Sequence, residues 1–277
     1  MLSAADDWVS IAAYGNAKKD WLAQFLSLPN GIPSHDTFNR VFSSIDPEHF
    51  MNCFMNWVTA IRSVFKSQIV AVDGKTLRRS HDGGNKAAIH MISAWASRNN
   101  LVLGQLRTAE KSNEITAIPE LLTRLALNGC VVTIDAMGCQ KVIAETIIDQ
   151  QGDYLLAVKD NQPTLKEAIA ATFAGRTPKA YIHPAITFHE VTEVNRDREE
   201  TRRCWATMSL SKLAMAADWK GLKQIAVVES QRRIKGKDSV ERRYYICSAS
   251  LSAKEILYAS RYHWGIENKF GYGISRR

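Results

Sequence analysis

Long apolar runs are missing from this chain of 277 residues. None approaches the roughly 20 residues that a membrane-spanning helix requires, so no membrane association is expected. The N-terminus carries Asp6 and Asp7 and lacks the basic-then-apolar pattern of a secretory leader. The five cysteines, Cys53, Cys130, Cys139, Cys204 and Cys247, are scattered and contain no C-x-x-C pair. That spacing suggests neither a zinc site nor a redox pair, and it suits a reducing compartment. There is no internal repeat and no low-complexity tract. No G-x-S-x-G elbow occurs, which removes the serine-hydrolase arrangement. Gly74-Lys75-Thr76 has the ending of a phosphate-binding loop, but that loop needs a glycine five residues earlier, where Ile69 stands. What the chain does have is basic charge: 36 Lys and Arg against 28 Asp and Glu, a net charge of +8. That favours a polyanionic partner, although a solvated basic surface explains the same balance.

The chain is organised around Ile69–Thr76. Ile69-Val70-Ala71-Val72 is apolar and rich in β-branched residues, the pattern of a strand buried on both faces. It ends abruptly in Asp73. The device recurs at Val131-Val132-Thr133-Ile134, which ends in Asp135. Carboxylates at strand tips lie where open α/β sheets bind ligands. Two side by side suit a hard divalent cation such as Mg²⁺, which prefers oxygen ligands. The plainer reading, turn or cap aspartates after strands, stays open at this point.

Residues 1–66 read as an N-terminal helical region and 67–277 as a separate α/β domain. In the first, Ser34 and Asp46-Pro47 are helix starts. Phe50, Phe54, Trp57, Ile61 and Phe65 fall at the three- and four-residue spacing of an amphipathic helix, an aromatic stripe that reads as core. From Gln68 the order is three strands, helix, strand, helix, strand, helix. The strands fall at Ile69–Val72, Ala88–Ala96, Leu101–Thr108, 131–134 and Tyr154–Val158. The first intervening helix is expected over about Thr116–Leu127. A meander followed by right-handed crossovers is the order of a ribonuclease H-like mixed sheet, whose first and fourth strands are neighbours. Residues from about 176 to 250 break this rhythm and read as a β-rich insertion. They hold strand-like pieces at Ile225–Glu229 and Arg243–Ser248 among clusters of Arg, Lys, Asp and Glu. Ser252-Ala-Lys-Glu255 then fits a capping box. On the helix it opens, Ile256, Ser260, Trp264 and Glu267 share a face. An acid on the sheet side of a helix needs a partner, because burying an unpaired charge is costly. A metal would supply one; so would Arg261.

These features resemble the DDE transposases, specifically the H-repeat-associated family of bacterial insertion elements. The resemblance runs over nearly the whole chain. It is carried by Asn30-Gly-Ile-Pro-Ser-His-Asp-Thr37, Ala71-Val-Asp-Gly-Lys-Thr-Leu77, Glu110-Lys-Ser-Asn-Glu-Ile115, Thr133-Ile-Asp-Ala-Met-Gly-Cys-Gln140, Ala157-Val-Lys159 with Asn161-Gln162, and His263-Trp-Gly-Ile-Glu-Asn268. It implies Asp73, Asp135 and Glu267 as the catalytic, metal-binding acids. It further implies two Mg²⁺ ions, with Mn²⁺ able to substitute, and cleavage and joining of double-stranded DNA at element ends and target. Asp73, on the central strand, is expected to bridge the two ions. Lys75, Arg78, Arg79, Lys159, Arg232 and Arg233 are the expected DNA contacts. A homodimer on DNA and a cytoplasmic, nucleoid-associated location follow as further expectations.

Two departures from the family pattern qualify this. Asp160 stands where the family usually has glycine, an extra acid near the site. The family also continues past His-Trp-x-x-Glu-Asn and begins before Leu2. The chain is therefore expected to be a truncated product of a degraded element, with Glu267 loosely held because Gly271 and Gly273 follow about a turn later. The alternative reading is a catalytically inactive, DNA-binding remnant.

Overall fold

The computed structural model describes residues 5, 7–60, 68–76, 90–96, 101–108, 114–175, 185–195, 198–234 and 236–274. Among them no helix is long and apolar enough to cross a membrane. The chain divides into two compact units, 1–56 and 57–277.

The first unit is helical: α1 (Trp8–Ala17), α2 (Lys19–Leu22), α3 (His35–Ser44) and most of α4 (Pro47–Ala60). Helices α1, α3 and α4 start at side-chain caps, whereas α2 does not. Ser34 Oγ accepts from the Thr37 amide at 3.3 Å, and Asp46 Oδ1 from that of His49 at 2.8 Å. Such caps satisfy amides that the first helical turn leaves open. Of the aromatic stripe expected as core, Phe50 and Trp57 are about half exposed, and Ile61 and Phe65 lie outside the described residues. Phe42 and Phe50 touch each other and Phe42 touches Trp8, yet Phe50 remains 51% exposed.

The second unit is built on one nine-stranded sheet of order β3-β2-β1-β4-β5-β9-β8-β7-β6. The strands are β1 (Ile69–Thr76), β2 (His90–Ala96), β3 (Leu101–Thr108), β4 (Val131–Ile134), β5 (Asp153–Val158), β6 (Ile186–Asn195), β7 (Arg198–Thr207), β8 (Gln224–Ile234) and β9 (Lys237–Cys247). Its first five strands form the ribonuclease H-like arrangement. β1, β2 and β3 make an antiparallel meander, and β4 and β5 run parallel to β1. Helices α5 (Glu114–Thr123) and α6 (Lys141–Asp149) are the crossovers into β4 and β5, and α7 (Pro163–Thr172) follows β5. Val70, Ala71 and Val72 are fully buried, as their composition requires. Helix α5 ends at Thr123, earlier than its apolar pattern suggests. The amides of Arg124 and Leu125 bond to carbonyls three residues back, which tightens the chain out of the helix.

The insertion extends the sheet. Its last strand, β9, pairs antiparallel with β5, and β8, β7 and β6 follow as a meander. The two strand-like pieces legible in the sequence are the inner ends of β8 and β9, where the residues are buried. The outer ends, and β6, carry alternating charges that find partners across the strands, so they pair without an apolar pattern. Side-chain-exposed β6, with Glu190 and Glu193 on it, is an edge of the kind that charge protects from further pairing.

Helix α8 (Ala253–Ile274) lies across one face. Its start is a capping box: Ser252 donates its amide to Glu255 Oε2 at 2.8 Å, and the Glu255 amide donates to Ser252 Oγ at 3.3 Å. Ala253, Ile256, Leu257 and Ala259 pack with Leu155, Ile69 and Val131 of the core strands and with Cys204, Ala226 and Tyr245 of the insertion. The helix runs through Gly271 and Gly273 to Ile274 rather than stopping short of them. Two glycines cost a helix only about 1 kcal/mol each, and the N-terminal three turns are anchored by this packing.

The join between core and insertion is a buried serine. Ser248 Oγ accepts from the Tyr154 amide at 2.9 Å and donates to Asp153 Oδ1 at 2.7 Å. Replacing it with alanine leaves a buried amide without its acceptor. Ser248→Ala is expected to lower unfolding free energy by about 1–3 kcal/mol, read by urea denaturation. A change within about 0.5 kcal/mol would show that the join is held by the strand pairing alone.

Candidate functional site

Register brings the two strand-end acids together. β1 and β4 are parallel with Val72 opposite Ile134, so Asp73 and Asp135 are the next pair along. Neighbouring strands lie about 4.8 Å apart. Side chains alternate along a strand, so Asp73 shares a face with Ile69 and Ala71, and Asp135 with Val131 and Thr133. That face is the one covered by α8, which packs on Ile69 and Val131. One oxygen of Asp73, Oδ2, is shielded from solvent.

The loop after Asp135 is tightly specified. Asp135 Oδ1 accepts from the amides of Met137 and Gly138 at 3.1 and 3.4 Å and so caps a short 3₁₀ turn, Ala136–Gly138. The cap reading of this aspartate therefore holds, and the cap leaves the carboxylate at the tip of β4. A side chain at Gly138 would collide with the Ile134 methyl, which explains the glycine. From the other side, Asn161 Nδ2 donates to the Ala136 carbonyl at 2.6 Å and Gln162 Nε2 to that of Cys139 at 3.0 Å. Asn161 and Gln162 thus hold the loop that positions Asp135.

Helix α8 is tied to β4 by His263. Its Nδ1 lies 3.4 Å from Thr133 Oγ1, and both residues are buried. Burial pushes the imidazole down to about 4, against the opposing pull of the Asp135 carboxylate. Helix α8 packs on β1, β4 and β5 of the core and on β6, β7 and β8 of the insertion, so it crosses the strands of the sheet. Position 267 follows His263 by one helical turn on the same helix. The Glu267 side chain lies outside the described residues.

Glu114 is a further acid whose place the pattern of residues did not reveal. It opens α5 and is 3% exposed. Its carboxylate lies against Gly74, where an added Cβ would come within 2.5 Å of Oε2. The glycine after Asp73 therefore makes room for Glu114 on the opposite face of β1. The signal was present in the Glu110–Ile115 motif, but nothing local says where that segment docks.

Other expected residues fall elsewhere. Lys75 is on β1, with its side chain outside the described residues; Arg78 and Arg79 lie wholly outside them. Lys159 is exposed and lines a cleft with Asp135. Asp160 points away into solvent, 89% exposed, and pairs with Lys166 at 2.7 Å. Arg232 contacts Glu200, itself only 5% exposed, at 2.9 Å. Burial works against the Glu200 charge, but hydrogen bonds from Arg232 and Arg198 and the Arg202 charge outweigh it and hold the carboxyl below its usual range. Arg233 is exposed and holds Asp238 through two bonds, 2.8 and 3.1 Å. Arg261, weighed as a partner for Glu267, makes two bonds to Glu193 of β6 at 2.8 and 2.9 Å.

Among the described residues no group of three or more His, Cys, Asp or Glu side chains has metal-holding geometry. Asp73 and Asp135 are two oxygen donors of the hard type that divalent cations prefer.

Residues 65–276 match the family described as Transposase DDE domain, and residues 1–58 match one described as DDE_Tnp_1-associated. The H repeat-associated putative transposase YhhI of Escherichia coli (strain K12) is 42% identical over 282 residues, covering 99% of this chain and 73% of its own length. An uncharacterized protein in the dhlA 3′ region of Xanthobacter autotrophicus is 44% identical over 254 residues, covering 90% and 83% respectively. Among solved structures, the piggyBac transposase synaptic complex with hairpin DNA aligns with a TM-score of 0.43 at 11% identity; the alignment spans 96% of this chain and 56% of that one.

His263 yields a pH-dependent prediction. Its folded pKa of about 4 lies below the ordinary 6.5. As pH falls, the unfolded chain takes up the proton first, so stability present above pH 6.5 is lost progressively toward pH 4. The expected loss between pH 7 and pH 5 is roughly 2 kcal/mol. Urea unfolding at the two pH values measures it. In His263→Gln the difference should shrink to near zero, and an unchanged difference would place the titration on another group.

Proposed function

The chain belongs to the family that carries the transposase DDE domain, and on that premise we propose that it cleaves and joins DNA strands using divalent metal held by Asp73, Asp135 and Glu267. The observation that carries the proposal is the in-register pairing of β1 with β4, which sets Asp73 beside Asp135 on the face that α8 covers. Asp73 and Asp135, with Glu267, would hold the divalent cations through carboxylate oxygens, the ligands such hard cations prefer. Bound Mg²⁺ supplies activation of a water or a DNA 3′-hydroxyl and stabilisation of the departing oxygen.

The protein's own residues do the positioning. Asp135 is held by its cap to the 3₁₀ turn, and the turn by Asn161 and Gln162. His263 and Thr133 set how far α8 advances along the sheet, which decides the level at which Glu267 is offered. Precision here matters, because a misplacement of about 1 Å in a catalytic group can cost a hundredfold in rate. His263 is kept neutral by burial, so it adds no positive charge beside acids that bind cations.

The test is nicking of supercoiled plasmid by the purified chain with Mg²⁺ or Mn²⁺. Asp73→Asn and Asp135→Asn keep shape and remove charge. Each is expected to lower nicking by more than about a hundredfold, since changes even to groups behind the ligands cost 10–100-fold in metal affinity or activity. Asp160→Asn should retain it. Full Mg²⁺-dependent nicking by either of the first two variants would sink the assignment. DNA binding without nicking in any metal would favour the inactive, DNA-binding reading.

A further inference from the structure

We propose that Lys159 and Arg243 form a subsite for a DNA phosphate beside the paired aspartates, through which the insertion grips the strand next to the reacting bond. The proposal rests on the reading of the chain as a DNA-cutting enzyme. It starts from register. β4 pairs with β5 with Ile134 opposite Leu156, so Asp135 is level with Ala157. Lys159 is two residues further on, about 6.6 Å beyond and on the same face. β5 pairs with β9 with Ala157 opposite Tyr245 and Val158 opposite Tyr244, so Arg243 is the residue next to Lys159. A basic pair thus sits one pleat beyond the acidic pair, toward the strand tips. Asp135, Lys159, Arg243 and His263 all line one cleft.

The chemistry of the pair fits a phosphodiester. The acids and their cations account for the reacting phosphate. Its neighbour on the same strand brings a negative charge into the same cleft, where a fixed cation is worth more than in open water. Arginine presents a planar fork that matches phosphate oxygens, and lysine adds a point charge. Arg243 is 23% exposed, and its Nε and Nη2 donate to Glu241 at 2.8 and 3.2 Å, which fixes the orientation of the guanidinium but occupies that edge, so a phosphate must take the remaining Nη donors or displace Glu241. Tyr245, two residues on along the same strand, is buried and packs with Ile256 and Ala259 of α8 in one apolar cluster.

The other insertion arginines differ in place or duty. Arg232 neutralises the buried Glu200. Arg233, facing Asp238, is at the far end of the β8–β9 hairpin. Five residues separate Asp238 from Arg243, about 16 Å along the strand. Arg233 is therefore a charge-matched control, since removing either arginine deletes one positive charge and strips one acid of its partner.

The experiment is fluorescence polarisation of a 20-base-pair duplex of arbitrary sequence with the full chain in EDTA, over a range of salt. Arg243→Gln and Lys159→Gln are each expected to reduce the log–log salt slope by about 0.9, one phosphate contact, and to weaken binding several-fold. Arg233→Gln should match wild type, against the sequence-based expectation that Arg233 contacts DNA, because it sits at the far hairpin end on Asp238. Circular dichroism checks folding, and Lys159, being exposed, gives a variant with little structural risk. If Arg243→Gln and Lys159→Gln behave like Arg233→Gln while wild type binds and nicks, the subsite is wrong and the proposed activity stands. If wild type binds with the expected losses in both variants but nicks in no metal, the subsite stands and the activity falls. A wild type that binds no DNA overturns both.

Discussion

The parallel pairing of β1 with β4 is the constraint on which the rest depends. Each strand ends in an aspartate, and only an in-register parallel pair delivers both carboxylates to the same level and the same face. A slip of one residue would send one of them to the opposite face. The register is held by burial on both sides: Val70, Ala71 and Val72 in one strand, Val132, Thr133 and Ile134 in the other, are nearly inaccessible. Hydrophobic burial of this order, about 1.5–3 kcal/mol for each large side chain, outweighs the local repulsion of two like charges near the surface.

The insertion is better understood as an extension of the sheet than as a module attached to it. β9 adds to β5, and the next three strands build outward. Its many arginines are largely committed to acids of the same meander: Glu200 with Arg202 and Arg232, Glu229 with Arg203 and Arg242, Glu193 with Arg202. A cluster of basic residues in sequence is thus a weak guide to where DNA contacts lie, because cross-strand acids neutralise most of it. The link from Glu193 to Arg261 ties the outermost strand to α8. The insertion therefore bears on α8 as well as on the sheet.

Much of the architecture was legible from local pattern. Short β-branched runs, each closed by an aspartate, marked β1 and β4. The Ser252–Glu255 capping box marked the start of α8. The order of strands and helices marked the ribonuclease H-like core, and the motifs marked the family. These signals are local because burial and capping act over a few residues. The charged strands β6 and β7 escaped notice because their stabilising partners lie across the sheet, not along the chain. The early end of α5 escaped because its apolar spacing continues after its hydrogen bonds have shortened.

The amino-acid sequence by itself determined two buried strands that each end in an aspartate and a late capped helix, since periodicity and motif spacing are properties of the chain. The tertiary structure alone decided what surrounds them. It set β9 against β5, so that Arg243 comes beside Lys159 although 84 residues separate them. It lodged Glu114 against Gly74 and His263 against Thr133. It turned Asp160 out to Lys166 and committed Arg232 to a buried acid. The physical reason is that patterning specifies which face of an element is buried, whereas which elements meet is settled by the simultaneous packing of the whole sheet.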